Sequence, residues 1–306
     1  MLHRSATAGE RGCDPLFVAA AGRRPGAAGG IRVSARRRFV YAICTGRCGT
    51  VFVSELFRLN FPRATVHHER LGPLQIGVHS PDMSHFTVFN TLGNTPKVRD
   101  FWRDKLGQDD RANGGLFVET SHLLAKAGLV ENVDLVCERG ADVRFVFLKR
   151  NLFDTVWSFY NRFDFYNTGF TWMFALDPNY RNKIVDPTPL RRYGMLGSAI
   201  WYVLEVWTRG EYYKLLLQDH PAAGIQEAWI EDLGEPANAG AFLHAVTGEH
   251  PASVRMPERR NERTESFFDS AAEAKARAVV EKLDFDCRRM ARRFYDAGYR
   301  LASPKS

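Results

Sequence analysis

The sequence predicts an α/β fold in three layers, a mainly parallel central sheet with helices on both faces. Three observations predict it. Short apolar runs recur along the chain, helical patterns lie between them, and the polar residues of most chemical interest fall just after the runs. Strands that alternate with helices pair in parallel through crossovers, and the helices then cover both faces. Ligands of such sheets bind beyond the carboxyl ends of the strands. A chain of 306 residues with 45% hydrophobic content has ample material for one large core.

Residues 1–36 are expected to form a basic, poorly ordered tail, and 37–300 a single α/β domain. The tail is rich in Ala, Gly and Arg and poor in large apolar residues. Up to residue 38, eight arginines face only Glu10 and Asp14, which accounts for six of the seven net positive charges. The rest of the chain is nearly neutral, so a nucleic-acid partner is not expected. The run Leu16–Ala21 is too short for a secretory signal and follows Asp14-Pro15. The arginine content fits an organelle transit peptide or a start codon set too early. No apolar stretch is long enough to cross a bilayer. The five cysteines (13, 44, 48, 137, 287) are odd in number, scattered, and without metal-ligand spacing. They suit a reducing compartment, and the expected protein is soluble, cytoplasmic and without a metal.

Strands are expected at 39–44, 64–68, 116–121, 143–149 and 225–230. A helix over 198–217 follows from the spacing of Ile200, Val203, Leu204, Trp207 and Leu215. One helix is expected over 270–297. Ser270 and Glu273 fit a capping box, Val280, Leu283, Cys287, Met290 and Phe294 form its apolar stripe, and Gly298 closes it. Segment 156–193 crowds aromatic residues, among them Trp157, Tyr160, Phe165 and Trp172. It fits a cover over the core, the better reading for most of them, or an aromatic pocket wall for a sugar or adenine face.

The first apolar run leads into Thr45-Gly46-Arg47-Cys48-Gly49-Thr50, and a helix follows from Val51. Strand, glycine-rich turn and helix N-terminus together make a phosphate cradle, because bare backbone approaches the anion and the first helical N–H groups point at it. The loop is not a Walker A motif. It lacks four residues between its glycines and a terminal Gly-Lys-Ser/Thr, so magnesium-dependent ATP hydrolysis is not expected. Cys48 at the helix start beside Arg47 has the setting of a reactive thiol, but fits better as a small residue filling the loop. The strand at 143–149 leads into Arg150-Asn151-Leu152-Phe153-Asp154, with Ser158 eight residues after Arg150. An arginine fork and a hydroxyl suit a phosphate. The plainer alternative pairs Arg150 with Asp154 and leaves Ser158 to packing.

These two motifs resemble those of the sulfotransferases that use 3′-phosphoadenosine-5′-phosphosulfate (PAPS). That family holds the 5′-phosphosulfate in a loop close to Thr-Gly-Arg/Lys-Ser-Gly-Thr, which Thr45–Thr50 matches with Cys48 in the Ser position. It holds the 3′-phosphate through the Arg and Ser of a segment close to Arg-Asn-Pro-x-Asp-x-x-x-Ser, which Arg150, Asn151, Asp154 and Ser158 match with Leu152 in the Pro position. Weaker similarity covers about 38–265. Ala228-Trp229-Ile230-Glu231-Asp232-Leu233 looks like the family's strand ending in Glu-Asp-Leu, and Arg259-Arg260-Asn261 lies where the family places a late basic loop against the 3′-phosphate. The resemblance implies a P-loop-like fold and a nucleotide site of Thr45, Gly46, Arg47, Cys48, Gly49, Thr50, Val51, Arg150, Ser158 and Arg260. It implies PAPS as co-substrate, adenosine 3′,5′-bisphosphate as product, and no metal. Arg47 would face the leaving group. Glu69, after the strand at 64–68, is the favoured base and His122 the second, since relatives use either type in comparable places. Glu119 and His122 are candidates to orient the acceptor.

Two other classes stay open. A P-loop small-molecule kinase would need the missing Gly-Lys-Ser/Thr, and a non-catalytic binding protein with a nucleotide fold would use the basic tail. The acceptor is not legible: an aromatic-rich segment suits sugars, lipids and phenols alike.

Overall fold

Five strands pair in one all-parallel sheet in a computed structural model that describes residues 37–70, 80–162, 164–165, 176–258 and 266–303. They are β1 (Arg38–Ile43), β2 (Thr65–His67), β3 (Leu116–Glu119), β4 (Asp142–Lys149) and β5 (Ala223–Trp229), in the order β2-β3-β1-β4-β5. β1 is central, with Val40 opposite Val118 on one side and Arg144 on the other. Successive strand side chains point to opposite faces. Phe39, Tyr41 and Ile43 accordingly join Phe117, Phe145 and Phe147 in one core. Val40, Ala42 and Cys44 join Val118, Val146 and Leu148 in another. Burial on both faces is why β1 and β4 read as unbroken apolar runs.

Helices line both cores. α1 (Thr50–Asn60) and α7 (Pro236–Thr247) bury Val53, Leu56, Phe242 and Leu243 in the second core. The first core takes α2 (Met83–Leu92), α3 (Pro96–Ala112), α4 (Asp134–Cys137), α5 (Leu152–Tyr160), α6 (Gly194–Leu217), α8 (Ser270–Glu281) and α9 (Cys287–Asp296). α6 crosses so close to β4 that a Cβ at Gly210 would collide with the Phe147 ring. The three layers of the predicted fold are present, and the described residues belong to one compact unit.

The structure departs from expectation at the C-terminal end. The single helix expected over 270–297 is two, α8 and α9, parted at 282–286. Asp269, not Ser270, caps α8 by accepting from the N–H of Ala272, and Asp286 caps α9 by accepting from that of Arg289. An aspartate that can bond a nearby backbone N–H favours a helix start over a helix interior, which explains the break. β3 ends at Glu119 rather than 121, and α6 begins four residues earlier than predicted. Phe159 and Phe165 pack as core beside Tyr202, the plainer of the two aromatic readings. The expected tail 1–36, most of the aromatic stretch 163–175 and the loop with Arg259, Arg260 and Asn261 lie outside the described residues. Among the described residues no helix is long and apolar enough to cross a membrane.

Candidate active site

β1 delivers the chain into a tight turn. Gly46 (φ 83°), Arg47 (φ 57°) and Gly49 (φ 89°) all adopt left-handed backbone. Such a turn aims successive N–H groups at one spot. Gly49 has a further reason to lack a side chain: a Cβ there would lie 2.5 Å from Cδ1 and Cγ1 of Ile230. α1 then opens on Gly49 with no side-chain cap and no acid in its first turn, so the positive end of its dipole faces the turn unopposed by a first-turn carboxylate.

Hydrogen bonds hold this turn from behind. Tyr202 on α6 donates to the Thr45 carbonyl (2.9 Å), and the Thr120 hydroxyl donates to that of Thr50 (3.1 Å). Thr45 donates to the carbonyl of Gly46 (2.6 Å) and Ser54 to that of Val51 (2.8 Å). Thr45, Cys48 and Thr50 are buried, so the loop presents mainly backbone and the Arg47 side chain. Cys48 packs in the second core. Its thiol pKa is lowered, first by hydrogen bonding with Cys44 and then by Thr45.

The second motif reaches the same turn. The Arg150 guanidinium donates to the Arg47 carbonyl (3.3 Å), and Arg47 Nε donates to the Ser158 hydroxyl (3.1 Å). Two segments a hundred residues apart in sequence thus meet at one point. Asn151 explains the rest of that motif. Its side chain caps α5 by accepting from Asp154 N–H (3.2 Å), and its own N–H donates to Glu231 (2.8 Å) at the end of β5.

Glu69 and His122 come together as well, with Glu69 Oε1 3.6 Å from His122 Nε2. Glu69 has φ 43°, and it and Arg47 are the two non-glycine residues with positive φ among the described residues. Each such residue costs about 1–3 kcal/mol and persists only where its surroundings hold it, a pattern typical of working sites. Burial, then the charges of Lys126, His68 and Arg47, push His122 well below its ordinary pKa, so the imidazole is neutral. His68 Nδ1 lies 3.2 Å from both the carbonyl and the hydroxyl oxygen of Thr120, tying the ends of β2 and β3 together.

The chain matches no protein-family model. No curated protein resembles it closely enough to count as a match.

Glu119, a candidate to orient an acceptor, is committed to a buried ion pair. It is fully buried, bonded to Lys105 Nζ at 2.7 Å, and burial pushes its pKa up to about 7. Lys105 also reaches Asp109 (3.2 Å), which accepts from the Tyr41 hydroxyl (2.9 Å) and lies 3.7 Å from Arg70. This buried cluster lies beside the turn that carries Glu69, next to Arg70. His122, expected to be either base or acceptor contact, is 3% exposed. Sequence reasoning missed Lys105, Asp109, Tyr202 and above all Lys126. Lys126 is buried beneath the site, its Nζ 3.2 Å from the Cys44 carbonyl and 3.1 Å from His122 Nδ1. The signal was present: a lysine four residues after His122, behind the apolar run Leu123-Leu124-Ala125. A charge in such a run is buried for a purpose or paired.

Proposed function

We propose that the protein transfers a sulfuryl group from PAPS to a hydroxyl or amine acceptor, a carbohydrate or another small molecule. The observation that carries this reading is the meeting of Arg47, Arg150 and Ser158 at the turn 46–49. A concave backbone turn at a helix N-terminus suits one phosphate, and a guanidinium with a hydroxyl suits another. The residues therefore suit a ligand with two anionic groups, and the resemblance of the two motifs points to adenosine as the part that carries them. PAPS supplies a sulfuryl group already activated by a phosphate leaving group. Arg47 and the N–H groups of residues 48–51 would hold the 5′ end and offset charge that develops there. Arg150 and Ser158 would hold the 3′-phosphate. Glu69 would take the acceptor proton, with His122 beside it.

Two measurements test this. Adenosine 3′,5′-bisphosphate should raise the melting temperature in the presence of a chelator. Incubation with PAPS and panels of glycans, lipids and phenols should give a product heavier by one sulfate. Stabilisation by ATP only with magnesium would support a kinase instead. Salt-sensitive RNA binding that is lost on deleting 1–36 would support a non-catalytic binder.

A further inference from the structure

Lys126 Nζ has three partners. It donates to the carbonyl of Cys44 (3.2 Å) and to the carbonyl of His122, and it lies 3.1 Å from His122 Nδ1. The ring of Tyr202, which itself holds the Thr45 carbonyl, lies 5.3 Å from the same nitrogen. Lys126 therefore bridges the floor of the phosphate turn and the imidazole beside Glu69. Carbonyl oxygens only accept, so two of its hydrogens are committed. What passes between Nζ and Nδ1 depends on the charge of the lysine. An ammonium has a third hydrogen to give. A neutral imidazole that accepts at Nδ1 carries its own hydrogen on Nε2, the atom facing Glu69. An uncharged amine has only a lone pair left, so Nδ1 must be the donor and Nε2 presents a lone pair to the carboxylate.

We propose that Lys126 is a positioning residue that sets the tautomer of His122 and through it the placement of Glu69. The inference rests on the sulfuryl-transfer reading only for its consequence in turnover. With Lys126 charged, the Nε2 hydrogen points at the Glu69 carboxylate and holds it in place. The separation of 3.6 Å is the loose distance usual before a substrate is bound. When Lys126 becomes neutral, its third hydrogen passes to Nδ1 and the Nε2 proton leaves to solvent. The two lone pairs then repel, and Glu69 loses its support.

The change falls in an accessible range. Burial brings Lys126 down to about 7, against the charges of Cys44, Cys48 and Glu69, which raise it, while Arg209 adds to the lowering. His122 faces Lys126, His68 and Arg47 besides Glu69. The sign for stability is opposite to that for activity. Between about pH 7 and the ordinary lysine value the unfolded chain keeps a proton that folded Lys126 has shed, so this residue makes stability rise with pH. Turnover should fall as pH rises through about 7, where Lys126 sheds its proton.

The test uses the full chain. Nitrogen-15 NMR of the His122 ring, without any ligand, should show Nδ1 bare and Nε2 protonated below pH 7, exchanging places as pH rises through about 7. This readout is independent of PAPS, so its failure is distinct from failure of the sulfuryl-transfer reading. Lys126→Met should remove the tautomer exchange and the alkaline fall in kcat. It should lower kcat by about 10- to 100-fold, the scale of a misplaced catalytic group. The KM for PAPS should stay within about twofold. If Lys126→Met does not fold, Lys126→Gln and the wild-type NMR titration carry the test. A bare Nε2 below pH 7, or an alkaline limb that survives in the variant, overturns the proposal. So does a loss confined to PAPS binding.

Discussion

The two halves of the candidate site are built by opposite means. The turn at 46–49 is backbone: three left-handed residues, an uncapped helix start and a glycine pressed against Ile230. The region around Glu69 is charge: Glu69 on a strained turn, beside His122 and Lys126 on one flank and Arg70, Asp109, Lys105 and Glu119 on the other. A backbone cradle is specified by consecutive residues and tolerates change in any one side chain that points elsewhere. A charge cluster is specified by residues far apart and fails when one partner is lost.

The sharpest way to break that contrast is Glu69→Gln. It keeps the shape of the turn and removes the proton acceptor, so turnover should fall by about 10²–10⁴-fold, the range for loss of a general base. Binding of adenosine 3′,5′-bisphosphate, measured by calorimetry, should stay the same. If Glu69→Gln remains active while His122→Ala does not, the base is His122 and the acceptor side has to be redrawn.

Next comes Lys105→Met. Its amine is surrounded by Asp109 and Glu119, each about 1% exposed or less. Methionine fills the space and leaves Glu119 without its amine in the interior, while Asp109 keeps the Tyr41 hydroxyl and the more distant Arg70. Loss of one partner of a buried ion pair costs about 3–5 kcal/mol, so denaturant unfolding should show a drop of that size. A variant as stable as the parent would mean that water reaches this cluster and that it does not hold the Glu69 turn.

Arg150→Ala tests the other side. It removes a guanidinium from the rim of the backbone turn, and with it the bond to the Arg47 carbonyl, while Gly46 and Gly49 keep their left-handed φ. Bisphosphate affinity should fall by about 10- to 100-fold, the equivalent of one charge-assisted hydrogen bond. Unfolding free energy should change little, because the side chain is only partly buried. An equal loss of stability would make Arg150 a brace for the loop rather than a ligand contact.

The same contrast governs how much was legible in the sequence. Thr45–Thr50 and Arg150–Ser158 are local patterns, and each follows a strand whose apolar run is unbroken, so both the fold and the turn could be read. α3 could not be singled out by periodicity. Its buried face runs Val98, Phe101, Trp102, Lys105, Leu106, Asp109, and the two charges interrupt the apolar stripe at the places that matter most. Glu119 misled for a related reason: a carboxylate at the end of a central strand looks like a site residue, and its partner Lys105 cannot be guessed from spacing. Lys126 lay in view but had no visible partner, because Cys44 and Tyr202 approach it only through the sheet and α6.

The smallest effect is the most pointed. Cys48 stands where PAPS sulfotransferases carry serine, and a resemblance alone suggests that Cys48→Ser should improve phosphate binding. The structure argues otherwise. Cys48 is 1% exposed, packs with Val53, Leu56 and Phe242, and shares a hydrogen-bonding contact with Cys44. A side chain turned into that core adds nothing to the ligand side, and the anion would meet the backbone N–H, which the substitution leaves in place. Bisphosphate affinity should therefore change by less than about threefold, below the worth of one neutral hydrogen bond. A gain of tenfold or more would show that the side chain at 48 turns outward when the ligand binds, and that the turn is less purely a backbone device than its φ angles imply.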